Sequence, residues 1–260
     1  MTPPPGAPWE LPRFRVLLDG TDWASLATAC GTGESLPAAL ALLTSPDPLV
    51  RESALRDALG PVTHQNTVYG ATVPVALCVA ALLGHPAVTA GDAGRGGGVR
   101  TGPDHPVLVR LLSWLGETAL DADDECVAVG ERLYGAGFLD EYEELRAFRD
   151  ARPALFSAVR PLLGHDHADV RDAALFAAVP LVEHPLLAPH RAALAVHARR
   201  LLATSDDRRH RDLVLDALRA WGHDTGGLEN ASDIAAREHR ARLAAARASW
   251  KGGYSEEPPF

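Results

Sequence analysis

Apolar residues recur along this chain at three- to four-residue spacing, and no strict alternation of apolar and polar positions persists. The pattern predicts helices near 21–30, 35–44, 48–59, 71–83, 105–119, 122–135, 138–149, 153–163, 168–182, 187–203, 208–221 and 232–250. Several edges coincide with stop signals: Gly60-Pro61, Gly84-His85-Pro86, Gly116, Arg152-Pro153 and Gly222. The proline- and glycine-rich ends are expected to be loose, with residues 1–20 as an N-terminal extension. Residues 89–104 carry six glycines with Arg95 and Arg100, the composition of a flexible surface loop. A phosphate-cradling role there would need a preceding strand and a Gly-Lys-Ser/Thr helix start, and neither is present.

Superimposed on the helices is a ruler. Leu-Leu pairs fall at 42/43, 82/83, 162/163 and 201/202, separated by 40, 80 and 39 residues. The period is that of paired-helix solenoids with one mark missing near 122/123. The first pair is followed by Ser45-Pro46-Asp47-Pro48-Leu49-Val50-Arg51 and the third by His165-Asp166-His167-Ala168-Asp169-Val170-Arg171. The two Val-Arg dipeptides stand 120 residues apart, three periods.

This leucine end, Asp-containing turn and Val-Arg opening resembles the HEAT repeat. The resemblance implies that Asp47, Asp166 and Asp206 take the turn position. Arg51, Arg171 and Arg211 would take the helix-opening position, each Asp and Arg interacting within or between repeats. It implies an all-α, right-handed α-solenoid of about five helical pairs over residues 21–228. A cap helix and a loose tail would follow over 229–260. Between residues 84 and 150 the motif lapses and only helix spacing remains. Such a resemblance names an architecture and no chemistry.

Composition narrows the setting. Alanine and leucine dominate, and Lys251 is the sole lysine among 25 basic residues, a bias that suggests a GC-rich bacterial genome. Cys30, Cys78 and Cys126 lie far apart without metal-type spacing, and the start lacks a signal-peptide pattern; a reducing cytoplasm is expected. No apolar run approaches the ~20 residues of a membrane span. No cofactor or metal is expected. His165-x-His167 and the pair His184 and His190 come nearest to ligand spacing, but no Cys or Glu completes a known pattern. Neither a Gly-x-Ser-x-Gly elbow nor a His-Glu-x-x-His helix occurs.

Charge is distributed unevenly. From Glu117 to Glu144 ten carboxylates face Arg132 alone, so this stretch carries as much negative charge as the whole chain, whose formal net charge is −9. Asp121, Asp123, Asp124, Glu125, Asp140, Glu141, Glu143 and Glu144 are candidates for docking a basic protein partner; the alternative is solvated helix starts. A second candidate is the polar string from Thr63 to Thr72, in which His64, Gln65 and Tyr69 stand between apolar helices. Its structural alternative is that Thr63 or Thr72 caps, Asn66 turns the chain and His64 or Tyr69 satisfies carbonyls. In the last predicted helix His239, Leu243, Ala246 and Trp250 share an apolar sector beside Arg237, Arg240, Arg247 and Lys251, suiting it to close the solenoid end.

These features favour surface recognition over catalysis. HEAT-like bacterial proteins include immunity and adaptor proteins, so the resemblance implies a non-catalytic module binding a basic partner. The rival is a HEAT-like DNA glycosylase or other enzyme of that fold. A glycosylase needs an arginine-rich face and a Trp/Asp pair; Trp114 near Glu117 and Trp221 near Asp224 are the nearest approaches. A net acidic chain disfavours nucleic acid as the partner.

Overall fold

The structure is a computed structural model describing Trp9, residues 11–90 and residues 105–249. The expected loop from residue 91 onward, together with Trp250, Lys251 and the tail, lies outside the described residues. The chain divides into two compact units, Met1–Ala198 and Arg199–Phe260.

The order begins with α1 (Phe14–Gly20), a single 3-10 turn at Trp23–Ser25, and a hairpin of β1 (Ala27–Thr28) with β2 (Gly31–Thr32). Next come α2 (Leu36–Leu42), α3 (Pro48–Leu59), a second hairpin of β3 (Thr63–His64) with β4 (Thr67–Val68), and α4 (Thr72–Leu82). Then follow α5 (Pro86–Thr89), α6 (Pro106–Leu120), α7 (Asp124–Tyr134), α8 (Phe138–Glu141), α9 (Glu143–Val159) and α10 (Ala168–Leu181). The chain continues through α11 (Arg191–Thr204), within which the boundary between units falls, to α12 (Arg208–Ala220) and α13 (Ala231–Ser249). The described chain is thus mostly helical, with two very short antiparallel hairpins as the exceptions. None of its helices is long and apolar enough to cross a membrane.

Two expectations are corrected near the start. Residues 14–20, placed in a loose extension, form a helix, because Leu18 is buried and the Trp23 indole N–H donates to the Leu18 carbonyl at 2.8 Å. Residues 21–30, expected as helix, instead form a turn and hairpin. Gly31 has φ +129°, and a Cβ on Gly33 would stand 2.9 Å from the Trp23 carbonyl, so both glycines serve the tight reversal. The hairpins lie side by side: Ala29 N–H donates to Pro61 O at 2.8 Å and Ala71 N–H to Ala27 O at 3.1 Å.

A third correction concerns Arg152-Pro153, which reads as a stop. Instead α9 runs through it, because Phe148, Leu155 and Phe156 are buried on the same helix and their packing outweighs the roughly 3 kcal/mol cost of an interior proline.

The core of the first unit is the pair α6 and α10. Every residue from Ala173 to Leu181 is buried, the mark of a helix surrounded on all sides. Gly116 lets the two helices close, since a Cβ there would come within 2.5 Å of the Phe176 ring. Beside this pair, α4 packs on α9 and α2 on α3.

A turn device recurs on the ruler. Ser45 Oγ, His85 Nδ1, His165 Nδ1 and Ser205 Oγ each accept the backbone N–H two residues on, all at 3.2 Å and at intervals of 40, 80 and 40 residues. His184 repeats it off the ruler. Six residues after three of these acceptors, an arginine reaches back to the carbonyl of the same turn: Arg51 to Ser45 O (2.8 Å), Arg171 to His165 O (2.8 Å) and Arg211 to Ser205 O (2.9 Å). The side chain of Asp47 caps α3 through Leu49 N–H. The third turn departs from expectation, for Arg171 holds the backbone oxygen of Asp166 at 2.7 Å and not its carboxylate. In the last, Asp207 rather than Asp206 caps α12 through His210 N–H at 2.8 Å.

Candidate docking surface

The acidic segment builds a corner from α7, α8 and the start of α9. Asp123 caps α7, accepting Cys126 N–H at 2.7 Å, and burial pushes its carboxyl above the usual carboxylate range. Asp124 and Glu125 occupy the first helical turn, where the positive end of the dipole favours them. Gly130 sits flush under Phe138, since a Cβ would meet that ring at 2.2 Å, and so α8 folds down onto α7.

Aromatic side chains four residues apart knit the corner. Tyr134 stacks on Phe138 with centroids 5.7 Å apart, and Phe138 meets Tyr142 edge-on at 5.9 Å. The Tyr142 hydroxyl then donates to Val68 O of β4 at 2.9 Å. This hydrogen bond joins the two segments singled out from sequence, which lie some seventy residues apart.

The polar string itself is a hairpin. Gln65 (φ 52°) and Asn66 (φ 59°) form the two-residue turn of the left-handed type that suits right-twisted strands. Thr72 Oγ1 accepts Tyr69 N–H at 2.8 Å and donates to Val62 O at 2.6 Å, fixing the hairpin to the start of α4. Tyr69 is half-buried, with its hydroxyl 3.4 Å from His64 O, while His64 and Gln65 are exposed at the tip.

The carboxylates divide into two groups. At 121–125 Asp124 pairs with Arg149 of α9 while Glu125 is exposed, and Arg152, buried beneath, reaches Glu183 at 3.2 Å and Ala122 O at 2.7 Å. Asp121 and Asp123 are half-buried. At 140–144 the group faces outward. Arg146 approaches Asp140 at 3.7 Å and Glu143 at 3.9 Å, but these carboxylates keep 87% and 82% of their side-chain exposure and the pairs contribute little. Glu141 is exposed and Glu144 half-buried. Beside them on α7, Leu133 is 69% and Tyr134 76% exposed, with Glu131 adjacent. Large apolar side chains left in water on α7, which packs against the exposed acidic α8, do not follow from the charges, although the four-residue aromatic spacing is written in the sequence.

A concavity of about 440 Å³ lies between α3 and α6, lined by Arg56, Thr63, Arg110, Trp114 and Glu117. Trp114 is buried, with its indole N–H on Thr63 Oγ1 at 3.0 Å. Comparison with protein-family models, with curated proteins and with solved structures gives no match to this chain.

Proposed function

We propose that this chain is a HEAT-like right-handed α-solenoid that acts without catalysis, docking a basic protein partner in an immunity or adaptor role. The observation that carries the docking reading is the exposure of Leu133 and Tyr134 on α7, which packs against α8 with its exposed Asp140 and Glu141. Burying either apolar side chain contributes roughly 1.5–3 kcal/mol, while the carboxylates steer a cationic partner and set its register. Asp124 is paired with Arg149 of α9 and Asp123 caps α7, so the outward group at 140–144 is the main electrostatic part of this surface. The solenoid reading draws its support from the turn device at 45, 85, 165 and 205.

The test is a partner capture with two variants. Lysine at Asp140, Glu141 and Glu143 should slow association and weaken its salt dependence, whereas Tyr134→Ala should speed dissociation. A captured partner whose binding survives both changes would remove this surface from consideration. Salt-steep binding to duplex DNA with no protein partner would favour the glycosylase reading instead.

A further inference from the structure

Three histidines from two distant segments meet at one end of the α6–α10 pair. His105 immediately precedes α6; His165 and His167 form the turn before α10. The ring centroids of His105 lie 5.2 Å from His165 and 4.4 Å from His167, and those of His165 and His167 are 5.6 Å apart. His105 is 8% exposed, and its buried Nδ1 has no hydrogen-bond partner. Among the described residues no three His, Cys, Asp or Glu side chains are arranged to hold a metal ion.

As neutral rings these groups pack edge to face, the arrangement that aromatic quadrupoles favour. Charging changes the balance. A proton on His165 sets a cation in a partly buried place against the rings of His105 and His167. Asp166 and Asp169 are the carboxylates whose field reaches His165, and Arg171, bound to the carbonyls of His165 and Asp166, is the cation of its turn. The carboxylates only partly offset burial and the two neighbouring rings, which together hold His165 below the usual histidine value.

We propose that the His105, His165 and His167 contact is a proton-operated latch, closing the end of the α6–α10 seam at neutral pH and releasing it on mild acidification. His165, held below its ordinary value of about 6.5 when closed and released from that hold when open, favours opening by up to roughly tenfold at pH 5.5 and hardly at all at pH 7.5. The sign is that of a depressed base: the stabilisation is complete above about pH 6.5 and is lost as pH falls.

Hydrogen exchange on the full chain, expressed as protection factors at pH 7.5 and 5.5, tests the latch. Protection of the first turn of α6 and of residues 164–170 should fall about tenfold in the wild type, while α3 changes little. His165→Ser keeps the turn acceptor, as Ser45 and Ser205 show, and should abolish most of the fall; His105→Gln should do the same. An equal acid response in these variants, or none in the wild type, would overturn the proposal. Stabilisation by micromolar Zn²⁺ that both substitutions abolish would overturn it too, making the cluster a metal site.

Discussion

Replacing Asp233 by Asn should release α13. The Asp233 carboxylate is 1% exposed and accepts from Arg211 Nη2 at 2.6 Å, Arg211 Nε at 3.1 Å, Arg208 Nη1 at 3.0 Å and Asn230 N–H at 2.8 Å. Its own N–H donates to Asn230 Oδ1 at 2.9 Å, so the pair also closes the N-terminus of α13. Little else buries this helix: Leu243, in the sector expected to cover the solenoid end, is 45% exposed, as are His239 and Ala246 in large part. Removing the charge strands the Arg211 guanidinium, and breaking a deeply buried pair costs roughly 3–5 kcal/mol. Two features lower that figure. The pair is covered but lies close to the surface of a small unit, and Arg211 keeps Leu202 O (2.5 Å), Ser205 O (2.9 Å) and Leu228 O (3.2 Å). The expected loss is about 2–4 kcal/mol, seen as a roughly thirty- to thousandfold faster amide exchange over 231–249. The hydrogen bond from Arg211 holds the Asp233 carboxyl below its usual range. The wild-type helix should therefore keep this support above about pH 3.9 and lose it as pH falls further. Unchanged exchange over α13 in Asp233→Asn, with an unfolding midpoint within about 0.5 kcal/mol of wild type, would refute the reasoning.

Arg171→Ala removes two charge-assisted bonds to turn carbonyls and should lower stability by about 1–3 kcal/mol; a melting temperature equal to wild type would deny the turn device a structural role. Burial pushes the Arg152 guanidinium down and the Glu183 carboxyl up, so each charge is held against a desolvation cost. Arg152→Met should destabilise by roughly 1–3 kcal/mol, discounted because Glu183 is partly solvated, and adding Glu183→Leu should recover part of that loss in urea unfolding. A double variant worse than the sum of the singles would contradict this. Burial raises the Cys78 thiol to about 12, so a thiol reagent at pH 8 should label exposed Cys30 rapidly and Cys78 only after unfolding.

What the sequence determined by itself was local. The limits of α3 are legible at both ends, because Asp47 caps it, Pro48 opens it and Gly60-Pro61 follows it, all signals acting within a turn of helix. The cores of α4, α6, α10 and α12 follow from apolar spacing for the same reason. The 40-residue turn positions were visible as spacing. Their chemistry was not, since Arg171 bonds to backbone oxygens and a carbonyl has no residue type to read. Two-residue strands are too short to show alternation, and the hairpin at 27–32 is held by bonds to Pro61 and Ala71, which flank the hairpin at 63–68. Passage of α9 through Pro153 depended on tertiary packing strong enough to override a local breaker. Charge counting over 117–144 missed Arg146, Arg149 and Arg152 because α9 returns to that surface after the stretch ends. The meeting of His105 with His165 and His167, and of Tyr142 with Val68, arises from which helices pack together. Caps, stops and periodicity act over a few residues of chain; contacts between distant segments exist only once burial of apolar surface has chosen their neighbours.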